Sequence, residues 1–413
     1  MFRNGKYRKT KNSKIEKRNH GFLCGGVGMS QAVHFGAGSI GRGFIGDLLH
    51  QSGYSTTFVE VSPHLIEQIN STHSYSLYFI NETQKKKVIN NVSALSPITN
   101  EEEVIEAIAK ASILTTSVWA DNLPNIASVL AKGLKRRLEY TNKKVNILAC
   151  ENALFATDLL KKALLNGDVD ISAAELDAIA CFPNTAVDRM VFDIEVDGES
   201  AVEIGNEYEL VIEKNKLIDP NEEPIVGATY TDNLQKYLER KLYITNTSHA
   251  IAGYLGYLKG YQYVQEALAD KDILEDVWAA INESSEILII KYGFTKADLQ
   301  DYSNFIIDRF MTPGVQDPIS RVGRSPIRKL DPSDRLVGPA TVCEELGVDT
   351  KYLSKGIAAA FLFKNTEDKQ AVELEQYIEE NGIEQAVLHY TKLNEASKTY
   401  AEVLSSYQEL KSI

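Results

Sequence analysis

From Gln31 the chain alternates short apolar runs with stretches whose apolar residues recur every three or four positions. The runs at 31–35, 56–61, 112–118, 145–150 and 178–182 read as buried strands. Between them, helical spacing covers the stretch from Phe44 to Gly53, then residues 63–71, 101–111, 123–137 and 153–164. A polar, hairpin-like stretch at 75–92 interrupts this alternation. Residues 194–212 alternate at period two through Val196, Val202, Ile204, Leu210 and Ile212, the pattern of antiparallel strands. After Pro220 and Pro224 the spacing is almost wholly helical. Strand–helix alternation predicts a mostly parallel, doubly wound α/β sheet. The fold class expected is therefore a Rossmann-type domain over residues 29–215 followed by a mainly α-helical domain over 216–413.

The first strand runs directly into a glycine-rich turn, Val33-His34-Phe35-Gly36-Ala37-Gly38-Ser39-Ile40-Gly41-Arg42-Gly43. This contains G-x-G-x-x-G between a strand and a helix, the context in which the motif binds a dinucleotide. The first glycine permits the tight turn, the second admits the pyrophosphate to the backbone, and the third lets helix and strand approach. The second strand ends near Glu60, 19 residues beyond Gly41. A carboxylate there binds the adenosine ribose hydroxyls and repels a 2′-phosphate, favouring NAD. Thr116 ends the next strand at the cofactor crevice. Asn152, at the end of the strand after that, either contacts the nicotinamide side or caps the helix that follows.

Residues 232–259 read as one long helix. At about 100° per residue, Lys241, Asn246 and His249 fall within an arc of about 140°. A desolvated Lys can act as general base, and an Asn amide can donate to an alkoxide or carbonyl oxygen. Asn184 follows another strand end, where its side chain can reach a crevice. Asp188 and Arg189, in the same stretch, read as an ion pair with each other, fixing a loop.

The net charge of −13 argues against a nucleic-acid or membrane-surface partner, so an anionic substrate needs a local basic pocket. Arg321, Arg324, Arg328, Lys329 and Arg335 crowd a Pro- and Gly-rich stretch that reads as loop, and arginine forks suit phosphate. Arg321 or Arg324, supported by Arg328 and Lys329, is the expected phosphate site. The four cysteines have neither paired spacing nor zinc-site neighbours, so a reducing cytoplasmic setting and no metal are expected. No apolar run reaches transmembrane length. A monomer is the default. Residues 1–28 form a basic, apolar-poor run. A disordered arm, a transit-like leader and translated upstream sequence all fit; the clean strand pattern after Met29 favours the last.

Several stretches together resemble the mannitol-1-phosphate branch of the polyol-specific long-chain dehydrogenase/reductase family. They are the glycine turn from Val33 to Gly46, Ala149-Cys-Glu-Asn152, Thr185-Ala-Val-Asp-Arg189, Glu239-Arg-Lys-Leu242 with Asn246-Thr-Ser-His-Ala250, and the segment from Arg321 to Leu330. The resemblance implies zinc-independent, NAD-dependent interconversion of D-mannitol 1-phosphate and D-fructose 6-phosphate. It carries the catalytic base onto Lys241, the oxyanion-binding amides onto Asn246 and Asn184, and the substrate-orienting imidazole onto His249. Ser39 and Glu60 depart from the Asn and Asp usual in the family. A sibling polyol dehydrogenase, a hexuronate reductase and a non-catalytic NAD sensor remain the alternatives.

Overall fold

The computed structural model describes residues 29–80 and 82–412. The expectation for residues 1–28, Cys24 included, lies outside them. The strands are β1 (Gln31–Phe35), β2 (Ser55–Val59), β3 (Ser74–Phe79), β4 (Glu82–Asn90), β5 (Val92–Leu95), β6 (Ile113–Thr116), β7 (Val145–Ala149), β8 (Ala180–Cys181), β9 (Thr185–Val196), β10 (Glu199–Glu213) and β11 (Thr229–Thr231).

Six of them form a parallel sheet in the order β5-β2-β1-β6-β7-β8. Strand periodicity sorts its side chains onto two faces. Val33, Phe35, Leu114, Val145, Ile147 and Ala149 meet the helices Glu101–Lys110, Leu123–Tyr140 and Ala156–Leu165. Ala32, Ile113 and Leu148 face the opposite way, toward Phe44, Ile45 and Leu48 and toward Leu210 and Ile212 of β10. That second layer is a five-stranded sheet, β11-β10-β3-β4, with β9 paired antiparallel to β10. Both faces of the parallel sheet are thus covered, which is why its strands read as continuous apolar runs.

Three sequence expectations need correction. Ala178 and Ile179 belong to a helix, Ala173–Ile179, closed by a Ser172/Glu175 capping box, and only Ala180 and Cys181 form strand. The helix expected from Ala153 begins at Ala156, with Phe155 rather than Asn152 at its N-cap. Asp188 and Arg189 lie in β9 and do not pair with each other. Neighbours on a strand point to opposite faces, so Arg189 meets Asp47 at 2.8 Å while Asp188 meets Arg309 at 2.9 Å.

The second half is helical, around a core that includes Ile244, Ile251, Tyr254, Val277, Ile281, Leu288, Ile357 and Val387. Its first helix enters through the Asn233 cap and runs without a break from Leu234 to Leu258. Residues 241–246 of that run form a π-turn. A second π-turn, Gly41–Gly46, lies in the helix after the glycine turn. Such turns are frequent at functional sites.

Candidate active site

Because the six strands are parallel, the segments after β1, β2, β6 and β7 emerge along one edge. Gly36 turns there with φ +95°. An added Cβ at Gly36 would meet the Ser117 carbonyl oxygen at 2.6 Å, and one at Gly41 would meet the Gly36 carbonyl oxygen at 2.0 Å. At Gly38 it would meet nothing within 4 Å. The glycines are therefore closely packed on either side of one open position, a cradle of the kind a pyrophosphate needs. Glu60 holds this turn: its Oε2 accepts from the Ala37 N–H at 2.6 Å, and its Oε1 from the Val61 and Ser62 N–H groups.

Other expected cofactor residues brace the turn with side chains directed inward. Val33 and Phe35 are core. His34 is fully buried between Thr115 and Ser117, and burial pushes its pKa down to about 3, so the ring is neutral. Arg42 is 2 % exposed; its guanidinium donates to the Ala37 and Ser200 carbonyls and the Ser200 hydroxyl. The Thr116 hydroxyl donates to Glu151 at 2.6 Å.

The long helix of the second half crosses this edge. Glu209 Oε1 and Oε2 accept from one Arg240 nitrogen at 2.5 and 2.7 Å, and the Asp188–Arg309 pair makes a second link between the halves. Lys241 Nζ donates to Asn152 Oδ1 and to the Val187 carbonyl, each at 2.8 Å. Burial lowers the Lys241 pKa from the ordinary lysine value. Asp188 opposes that shift, and Arg309 and Arg335 reinforce it. In a regular α-helix, Lys241 and Asn246 would stand about 140° apart. The wider π-turn, with its i→i+5 hydrogen bonds, brings them closer to one face.

Both residues line one cavity of about 240 Å³, together with Glu151, Asn152, Val187, Arg328, Asp334 and Arg335. The cavity carries one of the two expected amides. Asn184 is fully buried, donating to Glu213 Oε2 and accepting from the Asp158 N–H, both at 3.2 Å. His249 lies further along the helix. Its Nε2 is 2.9 Å from Asp317 Oδ2, its ring stacks on Phe310 at 4.5 Å, and burial lowers its pKa.

The basic segment is not a plain loop but two short helical turns, Ile319–Val322 and Pro326–Lys329. Of its five cations, Arg328 and Arg335 line the cavity. Arg321 is directed to Asp317, at 2.6 and 2.8 Å, and Arg324 is exposed. Lys329 is buried and donates to the Arg324 carbonyl; burial, with Arg335 and Arg328 nearby, pushes its pKa down to about 7. Arg335 is anchored by Asp334 and by the Thr247 hydroxyl, which donates to its carbonyl. Sequence reasoning counted Arg335 in the cluster but did not assign it to the phosphate. The links of His249 to Asp317 and of Asp188 to Arg309 carry no signal in the sequence. Among the described residues, no group of three or more His, Cys, Asp or Glu side chains is arranged to hold a metal ion. Among them, too, no helix is long and apolar enough to cross a membrane.

A parallel sheet with a glycine cradle at its edge, closed by a helical half that brings a lysine and an amide to the same edge, defines a two-domain dehydrogenase. The mannitol dehydrogenase Rossmann-domain model matches residues 30–224, and the mannitol dehydrogenase C-terminal-domain model matches 233–411. The chain belongs to the mannitol dehydrogenase family and is an oxidoreductase. It is 43 % identical to the mannitol-1-phosphate 5-dehydrogenase of Thermoanaerobacter pseudethanolicus, over 93 % of this chain and 98 % of that one. It is 41 % identical to the enzyme of the same name from Geobacillus stearothermophilus, over 92 % and 100 %. Its fold is shared with the Pseudomonas fluorescens mannitol 2-dehydrogenase ternary complex with NAD and D-mannitol. That match has a TM-score of 0.72 and 18 % identity, covering 93 % of this chain and 92 % of that one. It is shared equally with a substrate-free D-sorbitol dehydrogenase, with a TM-score of 0.75 and 16 % identity, covering 92 % and 93 %.

Proposed function

We propose that this enzyme interconverts D-mannitol 1-phosphate and D-fructose 6-phosphate with NAD, using Lys241 as general acid and base. The observation that carries the reading is the shared cavity: Lys241 and Asn246 stand one π-turn apart on its wall, with Arg328 and Arg335 beside them. The names of the relatives at about 40 % identity support the same substrate pair.

The glycine cradle, with Gly38 open and Glu60 at the end of β2, suits a dinucleotide whose adenosine ribose lies near that carboxylate. When bound, NAD supplies the hydride acceptor. Lys241 Nζ, kept neutral more readily by burial, takes the proton of the polyol hydroxyl. The Asn246 amide donates to that oxygen as it gains negative charge and then becomes a carbonyl. Asn152 and the Val187 carbonyl fix the amine in place before the substrate arrives. His249, held through Nε2 by Asp317, orients a neighbouring hydroxyl. Arg328 and Arg335 bind the phosphate. In the reverse direction the Lys241 ammonium returns the proton to the forming alkoxide. The reading also sets the enzyme in the cytoplasm as a monomer, with its domains divided near residue 215.

The test is NADH oxidation with fructose 6-phosphate, fructose and fructuronate in parallel. Turnover confined to fructose 6-phosphate is expected. Faster turnover of either unphosphorylated substrate would move the enzyme to a sibling activity, and none with any of the three would leave only a binding protein.

A further inference from the structure

We infer that Trp119 is a cofactor-binding residue whose indole closes against the nicotinamide half of the dinucleotide. The inference rests on the NAD reading above and goes beyond it.

The position comes from topology. β1 lies between β2 and β6, so the chain leaves β1 toward one side of the sheet and later returns on the other. Ligands of open α/β sheets bind in the crevice at such a switch point. The segment leaving β6, Ser117-Val118-Trp119, forms one wall of it. This segment lies directly on the glycine turn, since a Cβ at Gly36 would come within 2.6 Å of the Ser117 carbonyl oxygen and 3.2 Å of Val118. Glu60 stands at the end of β2, on the adenosine side of β1, so the β6 side receives the other half of the dinucleotide.

The local structure is costly for an indole without a ligand. Trp119 is 77 % exposed and has φ +71°, a backbone region that bulky residues rarely adopt. A buried carboxylate holds it there. Glu151 is 5 % exposed; its Oε2 accepts from the Trp119 N–H at 2.9 Å. Its Oε1 accepts from the Val118 N–H at 2.9 Å and the Thr116 hydroxyl at 2.6 Å. Backbone strain of this kind persists where surrounding groups enforce it, and it clusters at ligand clamps. The residue after Glu151 is Asn152, which holds Lys241. Adjacent side chains thus position the aromatic wall on one side and the base on the other.

An indole face and edge provide large, rigid contact area, and aromatic contacts of this kind change affinity by about 3- to 10-fold. The sequence contains only two tryptophans, Trp119 and Trp278, so energy transfer from tryptophan to bound NADH can be assigned. NADH and ADP would be titrated into the full-length wild type, Trp119→Phe, Trp119→Ala and Trp278→Phe. Trp278→Phe is expected to keep the transfer and Trp119→Phe to lose most of it. Trp119→Ala is expected to bind NADH about 3- to 10-fold more weakly and ADP as the wild type does. Unchanged NADH affinity in Trp119→Ala, or an equal loss for ADP, would overturn the inference. A wild type that binds neither nucleotide would instead remove the dinucleotide reading on which it stands.

Discussion

Lys241 and Asn152 meet across the junction of the two halves, Nζ to Oδ1 at 2.8 Å. One comes from a π-turn in the helical half and the other from the segment that follows β7 of the parallel sheet. The Lys241 amine is therefore positioned only when the halves are docked, with the Arg240–Glu209 and Asp188–Arg309 pairs holding them together. Docking also removes Lys241 from water, which lowers its affinity for a proton.

Lys241→Ala is expected to reduce turnover by about 10²- to 10⁴-fold while leaving NADH affinity nearly unchanged. Near-wild-type turnover in that variant would place the base elsewhere.

The pH profile of polyol oxidation follows from the direction of the shift. With Lys241 as the proposed base the neutral amine is the active form, and the rate should then rise with pH through an ionisation below that of free lysine. Asp188 favours the ammonium, so Asp188→Asn should move the rising limb to lower pH still. A limb displaced to higher pH in that variant would contradict the assignment.

Glu60 should enforce preference for NAD(H) over NADP(H), because a 2′-phosphate would meet its carboxylate. Glu60→Ser should narrow the preference. It should also weaken binding of both cofactors, since the Ala37 N–H of the glycine turn loses its acceptor, as do the Val61 and Ser62 N–H groups beside Glu60. Equal catalytic efficiencies with the two cofactors in the wild type would refute this.

For the phosphate, Arg328→Ala and Arg335→Ala should each weaken fructose 6-phosphate by roughly ten- to a hundredfold and fructose hardly at all. Arg321→Ala should lack this selectivity, because its guanidinium is directed to Asp317. KM values for the two substrates across the three variants decide the matter. A selective loss in Arg321→Ala alone would return the phosphate to the site first read from the sequence.

His34 gives a prediction for stability. Its folded pKa of about 3 lies below the ordinary 6.5, so the unfolded chain takes up a proton that the native ring refuses. The contribution is fully present above pH 6.5 and is lost as pH falls toward about 3. One such group adds a slope of about 1.4 kcal/mol per pH unit across that window. Urea unfolding of His34→Gln between about pH 4 and 6 should show a slope shallower by about one proton. Parallel slopes for variant and wild type would show that the ring titrates normally.

Much of the architecture was legible in the sequence because it depends on local pattern. Runs such as Val145–Ala149 announce a strand covered on both faces, and the glycine turn from Gly36 to Gly41 announces a close approach of backbone. The spacing of Lys241, Asn246 and His249 placed them on one helix. The sequence was silent on the π-turn that aligns the first two, because an i→i+5 ladder has no compositional mark. It also could not assign partners. Asp188 and Arg189 are neighbours in the chain, yet the strand sends them to opposite faces, one to Arg309 and the other to Asp47. Asn184 reads as a crevice residue, but the fold turns its amide onto Glu213. Arg328 and Arg335 reach the cavity while Arg321 is directed to Asp317 and Arg324 is exposed, a sorting that spacing along the chain does not mark. Periodicity is set by the few residues within one turn or one pleat, so the chain alone determined the elements. Electrostatic partnership depends on which groups come within about 4 Å after segments tens of residues apart have packed, so only the tertiary structure decided the site.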